Sequence, residues 1–167
     1  MTKFTYRRWQ IVLTFLSLFI LASSFYFQYI KGLHPCPLCF MQRLCAMLLF
    51  AICFIGVYVR SLWSAKVLTV LQILVAVGGI FFAGRQLWLQ SLPAGQMPAC
   101  MPGLDILIRY FPWQDVMNAL MWGAGDCGEI SWRWLGLSMP AWSALYFLAM
   151  FFAGLGLCWS VIQSPKN

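Results

Sequence analysis

Residues 9–30 read WQIVLTFLSLFILASSFYFQYI, a run without one charged side chain. A helix needs roughly 20 predominantly apolar residues to cross the hydrocarbon core of a bilayer, and this run supplies them. A cleaved secretory signal has a shorter apolar region, roughly 7–15 residues. Ala22-Ser23-Ser24 resembles a weak cleavage site, but Phe25, Tyr26 and Phe27 follow it directly. We therefore read an uncleaved first span.

Three similar runs lie downstream. Residues 39–59 are broken only by Arg43, residues 67–89 only by Arg85, and residues 140–163 carry no charge. Composition agrees. Of 167 residues, 62% are hydrophobic and 9% charged, against about 25% charged in a soluble domain. Such a chain cannot cover itself with a water-soluble surface. Each span must satisfy its own backbone hydrogen bonds in lipid, so helices are expected. The expected fold is an all-α membrane protein, a four-transmembrane-helix bundle forming a single domain over residues 1–167, with outer loops at about 31–38 and 90–139.

The net charge of +7 does not indicate nucleic acid, because the basic residues are scattered beside apolar runs. In a membrane protein they report orientation. Lys3, Arg7, Arg8, Arg60, Lys66 and Lys166 fall on the side of the termini. The opposite loops hold Lys31, Arg109 and Arg133 together with every acid: Asp105, Asp115, Asp126 and Glu129. Both termini are thus expected in the cytoplasm and both outer loops in the periplasm. Within the long loop, Trp113, Val116, Met117, Leu120 and Met121 recur at helical spacing behind Pro112 and Asp115. This is a short amphipathic helix, expected to lie in the outer interface or on the ends of the bundle.

This orientation sorts the seven cysteines. Cys36, Cys39, Cys100 and Cys127 fall in or beside the outer loops, where disulfides persist. Cys45, Cys53 and Cys158 fall inside spans and are read as packing residues. In His34-Pro35-Cys36-Pro37-Leu38-Cys39, Pro37 suits the first position of a helix. Cys36 then sits at or near its N-cap, where the dipole favours a thiolate. A Cys-x-x-Cys pair at a helix start suits exchange chemistry. Arg43 shares a helix face with Cys39. An arginine inside an apolar span is costly and therefore a functional candidate. It could hold Cys39 as thiolate or stabilise negative charge on a bound electron acceptor; the alternative is snorkelling or pairing with a backbone carbonyl.

Cys100 and Cys127 sit among Pro and Gly, so each is expected on an exposed, irregular stretch that a second protein can reach. The alternatives are a static bridge closing the loop, or zinc held by all four cysteines. Zinc sites usually pair two short-spaced couples, and only Cys36 and Cys39 have that spacing.

The assembled pattern resembles the DsbB family of disulfide-generating membrane proteins. The resemblance rests on Cys36-Pro37-Leu38-Cys39 with Gln42-Arg43, on Gly84-Arg85-Gln86 and on Pro98-Ala99-Cys100. It extends to Gly125-Asp126-Cys127, Trp132, residues 135–140 (LGLSMP) and Trp142. It implies a bacterial inner-membrane enzyme that reoxidises a DsbA-like periplasmic thiol oxidase. Cys100 would form the mixed disulfide, and Cys127 would pass electrons to Cys36 and Cys39. Cys39, helped by Arg43, would then reduce a quinone, ubiquinone or menaquinone. One departure stands out: some relatives carry a histidine around Ser91, whereas the one histidine here is His34, which we read as an interfacial loop residue. Arg85 matches the family without an assigned role. Two other functions compete: a reductase that runs the same parts in reverse, as in vitamin K epoxide reductase-like enzymes, and a non-catalytic metal-handling protein.

Overall fold

The computed structural model describes residues 3–32, 36–59, 61–93, 104–123, 125–128 and 132–163. Among the described residues, four helices are long and apolar enough to cross a membrane: Thr5–Tyr29, Pro37–Tyr58, Leu62–Ser91 and Met139–Ile162. They form α1 (Lys3–Tyr29), α2 (Pro37–Tyr58), α3 (Leu62–Ser91) and α6 (Met139–Ile162). Two short helices, α4 (Leu104–Tyr110) and α5 (Trp113–Trp122), precede a 3-10 turn at Gly125–Gly128 and a two-stranded hairpin. The protein is thus an all-α, four-helix membrane protein.

Consecutive long helices pack side by side, α1 on α2, α2 on α3 and α3 on α6. The ring closes where Ser17 and Tyr146 share a hydrogen bond of 2.7 Å between α1 and α6. The axis is filled by Leu13, Leu49, Cys53, Ala76, Ala83, Phe147 and Met150. Phe15, Leu74 and Phe152 point outward and are exposed. Large apolar side chains on the outside suit lipid as solvent. Helices in lipid gain little from burying them and associate by close packing through small residues. Gly79 does this for α3 and α6: a Cβ there would stand 2.3 Å from the Phe147 ring.

The 104–138 region holds more structure than periodicity reveals. Helix α5 forms where expected, but its apolar residues divide. Val116 and Ala119 are buried with Leu107 of α4, and Leu120 packs against them. Trp113, Met117 and Met121 stay exposed. Hairpin strands β1 (Arg133–Trp134) and β2 (Leu137–Ser138) pair antiparallel. The turn residues Leu135 and Gly136 both have positive φ, 51° and 79°, which matches the twist of a two-residue hairpin. The hairpin folds back onto the start of α6, where Trp142 Nε1 donates to the Trp134 carbonyl at 3.3 Å.

Reporter fusions test the orientation expected from the charges. A fusion at Gly95 should read periplasmic and one at Trp63 cytoplasmic. The reverse pattern would put Cys36 and Cys39 in a reducing compartment and end any disulfide chemistry there.

Candidate active site: three sulfurs beside an apolar cavity

The site lies where α1 ends, α2 begins, α3 ends and α6 begins. Cys36 is the N-cap of α2, and its sulfur accepts from the Cys39 backbone N–H at 3.3 Å. Pro37 follows at the first helical position, where a missing N–H costs nothing. The cap brings the two sulfurs of the Cys-x-x-Cys pair together, and Cys36 Sγ donates to Cys39 Sγ at 2.8 Å.

Cys127 completes the group. The 3-10 turn that carries it packs against α3 and α2, and the Cys127 thiol is hydrogen-bonded to Cys36. Cys127 is fully buried, in contrast to the exposed stretch its Gly-rich neighbours lead one to expect. The reason lies one residue past α5. Gly123 has φ 82°, and a Cβ there would come within 2.7 Å of Leu38 and 2.8 Å of Leu89. The glycine lets the chain press onto α2 and α3 and turn Cys127 inward. Arg85 holds the same junction from α3. Its Nε donates to the Trp122 carbonyl at 3.1 Å, and its guanidinium stacks on Trp88.

These contacts reverse one expectation. The dipole of α2 favours a thiolate at Cys36, yet its hydrogen bond to Cys127, then that to Cys39, and then burial push the Cys36 thiol well above the ordinary thiol range. A proton shared between neighbouring sulfurs in a desolvated site outweighs a dipole contribution of about 0.3–1 kcal/mol. In fully reduced protein, Cys36 should therefore be alkylated only at higher pH than an unperturbed cysteine. Cys127→Ala should lower that pH, because it removes the largest cause. Peptide-resolved alkylation against pH measures both, and a Cys36 midpoint at the ordinary thiol value would contradict the shared-proton geometry.

Cys39 faces the other way, into a cavity of about 430 Å³. Phe19 and Phe27 of α1, Tyr146 and Phe147 of α6, and Trp132 and Trp134 supply much of its wall. Gln42, Gln86, Gln90 and Arg43 add polar groups. Arg43 does not bond the Cys39 sulfur as its spacing suggested. It turns to α1, donating to Ser24 Oγ at 3.0 Å, to the Ser24 carbonyl at 3.4 Å and to Gln28 Oε1, and it lies over the Phe25 ring. A long flexible side chain near a span end finds oxygen partners on the adjacent helix. It still lines the same cavity as Cys39.

The matching protein-family model is disulfide bond formation protein DsbB, over residues 6–157. The chain belongs to the DsbB family. Disulfide bond formation protein B of Marinobacter nauticus is 42% identical over 145 residues, covering 81% of this chain and 82% of that protein. The Hahella chejuensis protein of the same name is 39% identical over 149 residues, with 88% of each chain covered. That of Nitrosococcus oceani is 36% identical over 156 residues, covering 92% and 90%. Membership makes this a disulfide-generating, multi-pass protein of the bacterial inner membrane, and four apolar helices agree with that.

The structure brings together three of the four candidate redox cysteines, Cys36, Cys39 and Cys127. Cys100, like His34, lies outside the described residues. Cys45 and Cys53 are buried in the core, and Cys158 is half-buried. Spacing alone gave no role to Gln42 and Gln86, although both appear in the family-like motifs. The available signal was two glutamines inside apolar spans, since a buried amide must find partners.

Proposed function

We propose that this DsbB-family protein oxidises a periplasmic dithiol protein of the DsbA kind and passes the electrons to a membrane quinone. The observation that carries the reading is the division of the Cys-x-x-Cys pair: Cys36 meets Cys127 while Cys39 faces the cavity. The cavity suits a quinone head group. It is largely apolar and large enough for a small ring, it opens among membrane-facing helices, and it carries one cation and several amides.

The residues divide the work. A partner thiolate attacks Cys100 of a Cys100–Cys127 disulfide, forming a mixed disulfide and releasing Cys127 as thiolate. Cys127 attacks Cys36, breaking the Cys36–Cys39 bond and leaving its electron pair on Cys39. The partner's second thiol then releases Cys100. Cys100 retakes Cys127, and Cys36 is left as a thiol. A bound quinone supplies a two-electron, two-proton acceptor. Cys36 and Cys39 re-form their disulfide as they give up the electron pair and the Cys36 proton, and the second proton is the one the partner released to solvent when its attacking thiol ionised. Arg43 provides positive charge at the cavity wall, and the aromatic side chains exclude water. The net change is partner dithiol plus quinone to partner disulfide plus hydroquinone.

Purified protein with reduced partner and a soluble quinone analogue tests the reading. Hydroquinone and oxidised partner should appear in equal amounts. Net flow from hydroquinone to partner disulfide would favour the vitamin K epoxide reductase-like direction. Cysteines freed by a chelator and not by a reductant would favour metal handling.

A further inference from the structure

We infer that Gln86 is a further catalytic residue, whose side-chain amide donates to the Cys39 sulfur as a thiolate and is fixed for that task by Gln42. The inference rests on reading Cys39 as the cavity-facing electron donor. Gln86 sits on α3 and is 4% exposed. A buried amide without partners is costly, so the direction of its bonds is informative. Its Nε2 lies 3.2 Å from Cys39 Sγ and 3.4 Å from Cys36 Sγ. Its Oε1 accepts from Gln42 Nε2 at 2.7 Å.

Gln42 is what orients the amide. The two ends of an amide are assigned from their hydrogen-bond network. Here the Gln42 donor occupies Gln86 Oε1, which leaves the Gln86 NH₂ for the sulfurs. Gln42 is itself buried, one helical turn beyond Cys39. The pair therefore forms a bracket: α2 supplies the reacting sulfur and the group that aligns its partner, and α3 supplies the donor. Gln86 also lines the cavity, so the donor stands where the electrons leave.

A neutral amide suits this position. It donates from Nε2 to a Cys39 thiolate at 3.2 Å, and its Oε1, 3.5 Å away, can accept from the Cys39 thiol. Both protonation states are thus served without moving the side chain. Nucleophilicity falls as thiol pKa falls, so a full charge bonded to the sulfur would stabilise the thiolate at the expense of its reactivity. Arg43, turned toward Ser24 and Gln28, leaves this place to the amide.

The test uses the full chain in detergent, with all cysteines reduced and alkylation at Cys39 followed by peptide mass spectrometry against pH. Gln86→Leu keeps bulk but removes the donor. It should move the Cys39 midpoint upward by about one pH unit, about tenfold less thiolate at a given pH, as expected for a hydrogen bond to a charged group. Gln86→Glu keeps the size and can still accept from Gln42. It should move the midpoint at least as far, because it sets a carboxylate beside a thiolate. Gln42→Leu, with Gln86 intact, should give a smaller shift of the same sign. Quinone turnover of Gln86→Leu should fall at neutral pH and recover as pH rises, which lost packing would not produce. An unmoved midpoint in Gln86→Leu overturns the inference. If that variant does not fold, unmoved midpoints in both Gln86→Glu and Gln42→Leu overturn it instead. Wild-type protein that alkylates as expected but reduces no quinone would sink the quinone reading and leave the Gln86 result standing.

Discussion

Cys127→Ala should accumulate a mixed disulfide between Cys100 and the periplasmic partner, whereas Cys100→Ala should capture no partner at all. Both substitutions would abolish the proposed Cys100–Cys127 bond, so a static bridge would make them equivalent. On the proposed route they are not. Cys100 is the sulfur attacked and Cys127 the sulfur released, and only loss of the resolving thiol stalls exchange after capture. The geometry adds a second difference. Cys127 is fully buried against α2 and α3 and hydrogen-bonded to Cys36, so it is poorly placed to meet a second protein directly. Non-reducing gels of protein mixed with reduced partner separate the outcomes. A mixed disulfide formed equally by both variants would overturn the assigned order. Turnover should fall to background in each, since either change cuts the electron path.

Arg43→Ala should lower quinone turnover by about a hundredfold at limiting quinone, the scale of losing one preorganised electrostatic donor from a water-poor site. Exchange between the outer-loop cysteines and the partner should be unaffected. Arg43 reaches the cavity while anchored to Ser24, Gln28 and the Phe25 ring of α1. Its charge is thereby held near Cys39 without a bond to the sulfur. Lysine keeps the charge but not the planar fork that serves two residues at once. Arg43→Lys should be impaired less than Arg43→Ala or Arg43→Gln, yet still impaired. The loss should appear as weaker apparent affinity for quinone. Quinone dependence and partner exchange measured on one preparation decide the matter. Normal quinone kinetics in Arg43→Ala would make Arg43 an anchor between α1 and α2.

Much of this molecule was legible without coordinates because lipid imposes strict rules on sequence. Residues 9–30 lack any charge, and a backbone in hydrocarbon has little choice but helix. The N-cap at Cys36 was equally plain, since Pro37 marks a helix start by its missing N–H. The short helix behind Pro112 was visible as a period, but not which of its apolar residues turn inward. Val116 and Ala119 are buried while Met117 and Met121 are exposed, because neighbours on α2 and α4 choose the face.

Local sequence thus determined the membrane-spanning helices, the cap on the Cys-x-x-Cys pair and the candidate cysteines. These follow from hydrophobicity and backbone geometry within a few residues of each position. Only the tertiary structure decided what each sulfur faces. Cys127 looked exposed among its glycines, yet Gly123 allows a close approach to Leu38 and Leu89 that buries it beside Cys36. Arg43 shares a face with Cys39, yet oxygen acceptors on α1 draw it away. Gln86 stands far from Cys39 in sequence, and packing of α2 on α3 makes it the amide that bonds the sulfur. Hydrogen-bond partners of a buried polar group come from whichever helix packs against it, and spacing along one chain segment carries no record of that neighbour.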